Sequence, residues 1–553
     1  MDNVRLILFM ALAFLGMLLY QTWQEDYGPA RQVAADTADQ QAPASPAAGD
    51  TPQAPQQADI DGAAPSVPGV ASTDDGVKSG LIKVRTDTLD LVMDKRGGTL
   101  VDARLIQYPV AVDQPENKYR LLSQRPSDYF IVQSGLLGAE GERTPTHEAI
   151  FTSDSDSYEL KEGEDSLVVD LNWTSPDGVG VTKRYTFRRG THAVELEHLV
   201  NNASENPWTG REYRQLQRGE PLDSGSAFMY TYTGGAIFSQ EDKYQKYDFE
   251  ELGSGQLNRD VTDGWLAMIQ HYFLGALIPP RGEQQHYYGK QLNNGRAVIG
   301  AYGPAKTVAA GSSDRFSGTL FIGPKLQEEL AGLAEGLDLT VDYGWLVFIA
   351  KPMYWILEKI HDFVGNWGWT IIIFTILIKI AFFKLSETSY RSMANMRKMT
   401  PRIQALKDRY GDDKQRMQQA MMELYKTEKI NPLGGCLPML VQMPFFIALY
   451  WVLLESVELR QAPWILWLDD LSVKDPFFVL PVIMGVSMFI QQKLNPPPPD
   501  PMQAKIMMAL PVVFTAMFAF FPSGLVLYWV VNNILSIAQQ WVITRRIEQG
   551  ASA

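Results

Sequence analysis

One lysine stands where a charge is expensive. Lys379 falls inside the run Ile371-Ile-Ile-Phe-Thr-Ile-Leu-Ile-Lys-Ile-Ala-Phe-Phe383, whose only other polar side chain is Thr375. A charge near the middle of a membrane helix costs about 2.5–3.5 kcal/mol on insertion scales, so such residues line a pathway or find a partner. Two readings compete. Lys379 precedes Lys384 by five residues, a rise of about 7.5 Å, and its stem could snorkel to the surface. Lys384 already serves as a boundary anchor, however, and Thr375 sits one turn deeper on the same face, which favours an inward-facing, functional lysine.

The last apolar segment, Leu525–Trp541, carries a second polar feature. Tyr528, Asn532, Ser536 and Gln540 recur every four residues, with Asn533 and Gln539 beside them. In lipid such a stripe must face protein or water. Hydrogen bonds between membrane helices contribute on average only about 0.6 kcal/mol each, and this many polar groups exceeds what helix pairing needs. A wet intramembrane surface is the stronger reading, with Gln442 and Thr515 from other segments able to complete it. The chemistry available there is hydration and electrostatics, with no covalent step.

Other chemistries lack their signatures. The sequence has no G-x-x-x-x-G-K-[ST] nucleotide loop, no H-E-x-x-H and no G-x-S-x-G. Its one cysteine, Cys436, excludes an internal disulfide and the usual cysteine-based zinc site. His192 and His198 share strand parity with Val194 and Leu196, which reads as core histidines ahead of a sugar or metal site. The expectation is a non-enzyme with no cofactor and no nucleotide.

The elements that must position these residues divide the chain. Residues 1–23 read as an uncleaved signal-anchor helix, because Leu18-Leu19-Tyr20-Gln21-Thr22-Trp23 offers no small-residue cleavage pattern. Residues 24–80 are rich in Ala, Pro, Gln and Asp and read as a disordered tether. Residues 81–340 alternate with period two between turn signals, predicting a large antiparallel β-sandwich. In 341–365, Lys351-Pro352 interrupts the apolar run. Trp345, Tyr354, Trp355, Lys359 and His361 there suit an amphipathic helix lying in the interface. Residues 366–548 predict a five-helix core over Trp367–Phe383, Leu437–Leu454, Phe477–Ile490, Ile506–Phe521 and Leu525–Trp541, followed by a tail, 549–553. Its loop 384–430 reads as a helical hairpin. Met393, Met396, Ile403, Leu406 and Tyr410 precede Gly411-Asp412-Asp413, and Met417, Met421 and Leu424 follow. Two core segments, of 14 and 16 residues, fall short of the roughly 20 a hydrocarbon core requires. Snorkelling flanks and a locally thinned bilayer both account for that.

Charge supplies the topology. The 553-residue chain has net charge −14 and looks soluble on average, yet residues 24–343 hold 28 basic and 47 acidic side chains. The remainder holds 21 basic and 16 acidic. Loop 384–430 carries 11 bases against 6 acids, whereas Glu458–Asp475 has only Arg460 and Lys474 against four acids. Positive residues mark the cytoplasmic side. This places 384–430, Arg545-Arg546 and both termini in the cytoplasm and the acidic β-domain in the periplasm of a bacterium.

Several longer motifs then carry a resemblance. Asn431-Pro-Leu-Gly-Gly-Cys-Leu-Pro438, Gln442-Met-Pro444, Ser456-Val-Glu-Leu-Arg-Gln-Ala-Pro463, Asp500-Pro-Met502 and Phe521-Pro-Ser-Gly-Leu-Val-Leu-Tyr528 closely resemble the YidC membrane protein insertases of Gram-negative bacteria. The resemblance covers essentially the whole chain, in pattern only over the periplasmic part. It implies insertion and folding of inner-membrane proteins, alone or beside the Sec translocon, through a hydrophilic groove open to cytoplasm and lipid but closed to the periplasm. It further implies that Lys379 is the groove's positive charge and that Thr375, Gln442, Phe446, Tyr528 and Trp529 occupy groove or substrate-contacting positions. The β-domain would be a mutarotase-like sandwich without that activity. Partners would be nascent membrane proteins, the Sec translocon, membrane lipids and, transiently, the ribosome. Two departures stand out. The groove residue is often arginine in the family, and lysine, unlike arginine, can lose its proton when desolvated. No long basic tail follows Arg545-Arg546-Ile547-Glu548, so a ribosome would dock on the loops. The rival readings are a transporter or channel with a ligand-binding periplasmic domain, which typically shows repeat symmetry, and an anchored sugar epimerase.

Overall fold

The computed structural model describes residues 80–139, 143–221, 231–292, 294–411, 413–428, 437–495 and 501–550. The predicted anchor, the tether and the Asn431–Cys436 motif lie outside the described residues.

Period-two patterning becomes strand geometry directly. Leu89–Asp94 and Val179–Arg188 alternate buried and partly exposed side chains along their length, as a sheet with one face on a core requires. Strands between Leu81 and Pro324 form an 11-stranded and an 8-stranded sheet. Leu91, Val132, Leu216 and Ile299 from the first meet Val169, Tyr185, Leu196 and Leu320 from the second in one buried core. This is the predicted sandwich, antiparallel among the described residues with one exception: Lys83–Arg85 pairs in parallel with Ser157–Glu159. A parallel neighbour needs a long crossover, and the intervening chain supplies it. Gly97 has φ 68°, and a Cβ there would lie 2.2 Å from the His147 carbonyl oxygen, so the turn admits glycine alone. Helix α1 (Phe249–Gly253) is held by a reciprocal cap between Asp248 and Glu251. Helix α2 (Gln327–Leu333) follows the sandwich.

Helix α3 (Val347–Val364) accommodates Pro352 and buries Ala350, Met353, Tyr354 and Leu357. Trp345, just ahead of it, and Phe348, Trp355 and Phe363 remain exposed. The helix thus has two apolar surfaces, one packed on protein and one not. Asn366 caps α4 (Trp367–Ala381) by accepting from the Trp369 amide. A 66° bend separates α4 from the start of α5 (Phe383–Tyr410). Asp413 caps α6 (Lys414–Thr427), and Arg402 of α5 pairs with Glu428 beyond α6. Of the predicted seam Ile403 is buried and Met393, Met396, Leu406 and Tyr410 are partly so, and Met399, outside that prediction, is buried as well.

Helices α7 (Leu437–Glu455), α8 (Val479–Leu494), α9 (Pro501–Phe518) and α10 (Ser523–Gly550) occupy the remaining predicted segments. The start of α8 is later than its apolar run suggests, because Asp475 accepts from the Phe477 and Leu480 amides while Phe478 adopts φ 56°. Among the described residues, only Ser523–Arg546 is long and apolar enough to cross a membrane alone, and α4 with the start of α5 passes as a bent pair. The segments Val441–Glu455, Val479–Leu494 and Ala504–Phe518 are shorter apolar helices. Ile371, Phe374, Leu449, Val452, Met484, Phe518 and Leu525 form their shared core.

Sandwich and helices meet in a polar seam. The His271 ring bonds the Leu454 carbonyl through Nε2 at 2.9 Å, near the end of α7. Arg460 donates to the Pro109 carbonyl at 2.7 Å, and Lys325 lies 3.9 Å from Glu455, both buried.

Candidate functional site

Lys379 lies in the last turn of α4, where a cation complements the carbonyl end of the helix dipole. Its Nζ donates to Ser536 Oγ of α10 at 2.7 Å, and Ser536 donates in turn to the Asn532 carbonyl at 2.7 Å. The lysine is half-buried, and among the described residues it joins no ion pair. An ammonium has three protons to donate, so two of them remain for water or for a guest. Lys379, Ser536 and the Asn532 backbone carbonyl are therefore brought together.

The aromatic candidates form a second group alongside. Phe446 of α7 stacks on Tyr528 with centroids 6.1 Å apart and meets Trp529 edge-on at 4.7 Å. Trp529 also lies 5.6 Å from Phe518 of α9, and its buried Nε1 has no hydrogen-bond partner among the described residues. Gln442 is half-buried one turn from Phe446 on α7, with which it shares a face.

Other candidates are placed differently. Thr375 is buried at 1% exposure and returns its hydroxyl to the Ile371 carbonyl at 2.6 Å, as threonines within helices often do. Thr515 does the same with the Pro511 carbonyl and packs against Gly485, where a Cβ would lie 2.0 Å from its oxygen. Asn533 donates to Ser487 of α8 at 3.1 Å, and Gln540 donates to Asn495 at 3.1 Å and to the Leu494 carbonyl at 3.3 Å. Both are buried. The stripe read as one wet surface thus divides. Ser536 bonds to α4, while Asn533 and Gln540, two turns apart, bond α10 to the α8 segment. Ser487 was overlooked in the sequence. Its signal was a lone hydroxyl in the Phe477–Ile490 run.

The two histidines are core residues with separate partners. His192 Nδ1 is 3.0 Å from Glu329, and His198 Nδ1 is 2.8 Å from Glu212. Glu212 also accepts from Arg214, and this group holds the Glu212 carboxyl below the usual range although its burial acts the other way.

Comparison with known proteins bears on both domains. Residues 81–356 match the family model described as the YidC periplasmic domain, and residues 359–550 match the 60Kd inner membrane protein model. The membrane protein insertase YidC of Methylococcus capsulatus is 53% identical over 554 residues, covering 100% of both chains. That of Thioalkalivibrio sulfidiphilus is 52% identical over 564 residues, covering 99% of both. Among solved structures, the chain is similar to an active YidC insertase with its first transmembrane domain resolved, at 19% identity and TM-score 0.37, over 83% of this chain and 94% of that one. It is also similar to a galactose mutarotase related enzyme from Lactobacillus acidophilus, at 8% identity and TM-score 0.30, over 44% of this chain and 97% of that one. A β-domain and an apolar helical domain with these relatives define an inner-membrane protein of the insertase class with a periplasmic domain. The chain belongs to the YidC family of membrane protein insertases, and it acts in inserting proteins into the membrane.

Proposed function

We propose that insertion runs through a hydrated groove between α4, α7 and α10, open to cytoplasm and lipid, in which Lys379, Ser536, Asn532 and Gln442 hold water partway into the bilayer. The observation that carries this reading is the half-buried Lys379 ammonium, bonded to one hydroxyl and to no carboxylate among the described residues. A substrate's polar tail enters the groove and so crosses a shorter apolar distance. An acidic tail gains further from Lys379, since a charge attraction strengthens as water is excluded. The hydrophobic segment then leaves into lipid along Phe446, Tyr528 and Trp529. The short helices α8 and α9 match a locally thinned bilayer, which lowers the barrier again. Nothing in this sequence of events makes or breaks a covalent bond, and no cofactor or nucleotide is needed.

The same reading orients the chain. The basic helices α5 and α6 form a cytoplasmic hairpin that receives nascent membrane proteins and contacts the ribosome transiently. Both termini are cytoplasmic, the sandwich is periplasmic, and α3 lies in the interface with Trp345, Phe348 and Trp355 in lipid. The groove works alone or beside the Sec translocon. Photocrosslinkers at Gln442, Phe446 and Trp529 are expected to capture a stalled nascent membrane protein, whereas one at the fully buried Val526 is not. Capture from none of the three groove positions overturns the route.

A further inference from the structure

A cleft of about 470 Å³ opens in the β-domain beside the strand Lys118–Leu122. Five basic side chains line it, Arg104, Lys118, Arg120, Arg125 and Arg218, against a single acid, Asp128. This is the reverse of its surroundings, since residues 24–343 hold 28 bases and 47 acids. Local pairing accounts for part of the set. Arg104 and Arg120 share Asp102 at 3.5 and 3.2 Å, and Arg125 pairs with Asp128. Lys118 and Arg218 join no ion pair among the described residues.

Arg218 is the informative member. It is 7% exposed, lies 5.0 Å from the Phe130 ring, and donates to Gln270 and, at 3.4 Å, to the Ile269 carbonyl. Gln270 is itself fixed by a 2.7 Å bond to the Tyr119 hydroxyl. Burial takes the Arg218 guanidinium down to about 10, still charged at neutral pH. A buried cation without a counter-charge destabilises a fold, and a hydrophobic residue would fill the same space at lower cost. A guanidinium at the floor of an open basic cleft is suited to fork onto two oxygens of an anion.

The cleft's wall is linked to the helical domain. Val110 lines it, and the carbonyls of Val110 and Pro109 accept from Arg460 at 3.1 and 2.7 Å. Arg460 lies five residues beyond the end of α7 and also 5.7 Å from the Tyr119 ring that walls the cleft. The mouth is therefore fastened to the segment where the helical domain emerges.

We propose that this cleft binds a phosphate group through Arg218 and Lys118, with Arg120 and Arg125 turning from their acids to complete the shell. The phosphate belongs either to the headgroup of an anionic phospholipid or to a small soluble phosphate compound. The lipid source rests on the membrane placement proposed above, and the soluble source does not. The test uses the full-length protein in detergent. Calorimetric titration with inorganic phosphate and glycerol 3-phosphate reads the soluble source. Native mass spectrometry after incubation with vesicles of phosphatidylglycerol or phosphatidylcholine reads the lipid source. Binding in either arm, weakened about tenfold or more in Arg218→Gln and in Lys118→Gln, is the expected result. Lys118 is a rim residue, so its variant remains informative where Arg218→Gln fails to fold. No binding in either arm, or binding undiminished in Lys118→Gln and in a folded Arg218→Gln, overturns the proposal. Insertion assayed in Lys118→Gln keeps this outcome separate from the groove, which that lysine does not touch.

Discussion

Lys183 and Lys379 are both withdrawn from water, and they are held in opposite ways. Lys183, fully buried in the sandwich, donates to the carbonyls of Gly97 at 2.6 Å and Ser134 at 3.1 Å and lies 5.6 Å from the Tyr185 ring. Its burial brings the ammonium down to about 7. Lys379 is half-buried and gives one bond, to a serine hydroxyl. Both sit among apolar residues, so burial alone does not separate them. The separation lies in how many of the three ammonium protons the protein has claimed and whether anything else can reach the remainder. Lys183 is a strut tying the Gly97 turn to the strand Phe130–Gly138. Lys379 gives only one bond among the described residues, as the proposed groove requires.

That contrast can be broken at either end. Lys183→Ala leaves two buried carbonyls unsatisfied and opens a cavity, so the sandwich is expected to lose about 3 kcal/mol. Denaturant unfolding followed by tryptophan fluorescence checks it, and a loss under 1 kcal/mol would make Lys183 dispensable and erase the distinction. Next comes pH. The folded value of about 7 lies below the ordinary 10.5. Between those values the unfolded chain binds more protons, and stability rises with pH, by at most about 1.4 kcal/mol per unit from this group. Below about 7 both forms are charged and the dependence from this group ends. The wild type minus Lys183→Met difference in unfolding free energy should follow that course, and a difference flat from pH 7 to 10 would contradict it.

At the other lysine the readout changes from stability to transport. Lys379→Ala is expected to shift stability by less than about 1 kcal/mol and to reduce insertion about tenfold for substrates with acidic translocated tails, with smaller losses for neutral tails. Protease protection in reconstituted vesicles measures this, and Lys379→Arg should restore it. Equal insertion of every substrate by Lys379→Ala would remove the electrostatic part of the mechanism. The smallest effect belongs to Asn533→Ala, expected to cost about 0.6 kcal/mol as a lost bond between helices. A defect in insertion beyond that loss of stability would return Asn533 to the wet surface.

Lys379 was legible because composition isolates it: one charge in thirteen residues needs no structure to be noticed. The strands were legible for a similar reason, since alternation is local. Lys183 was legible too, yet easily passed over between Thr182 and Arg184. It shares parity with Val181, Tyr185 and Phe187, all inward, and that parity was the signal. What the sequence could not resolve is which neighbour a face meets. Ser536 and Asn533 lie only about 60° apart around α10, yet one bonds to α4 and the other to α8, and no local pattern says where those helices stand. The parallel strand edge and the basic cleft are hidden likewise, because their residues come from distant parts of the chain.

The seam between the domains has a mechanical side. His271 and Lys325 grip the last turn of α7, and Gln442 lies twelve residues below Leu454 on the same helix, about 18 Å away. Pro444, two residues from Gln442, removes a backbone bond there and makes the helix easiest to flex. The sandwich is thus fastened to the last turn of the helix that carries Gln442, so that end has a fixed anchor and the proline end has none among these contacts.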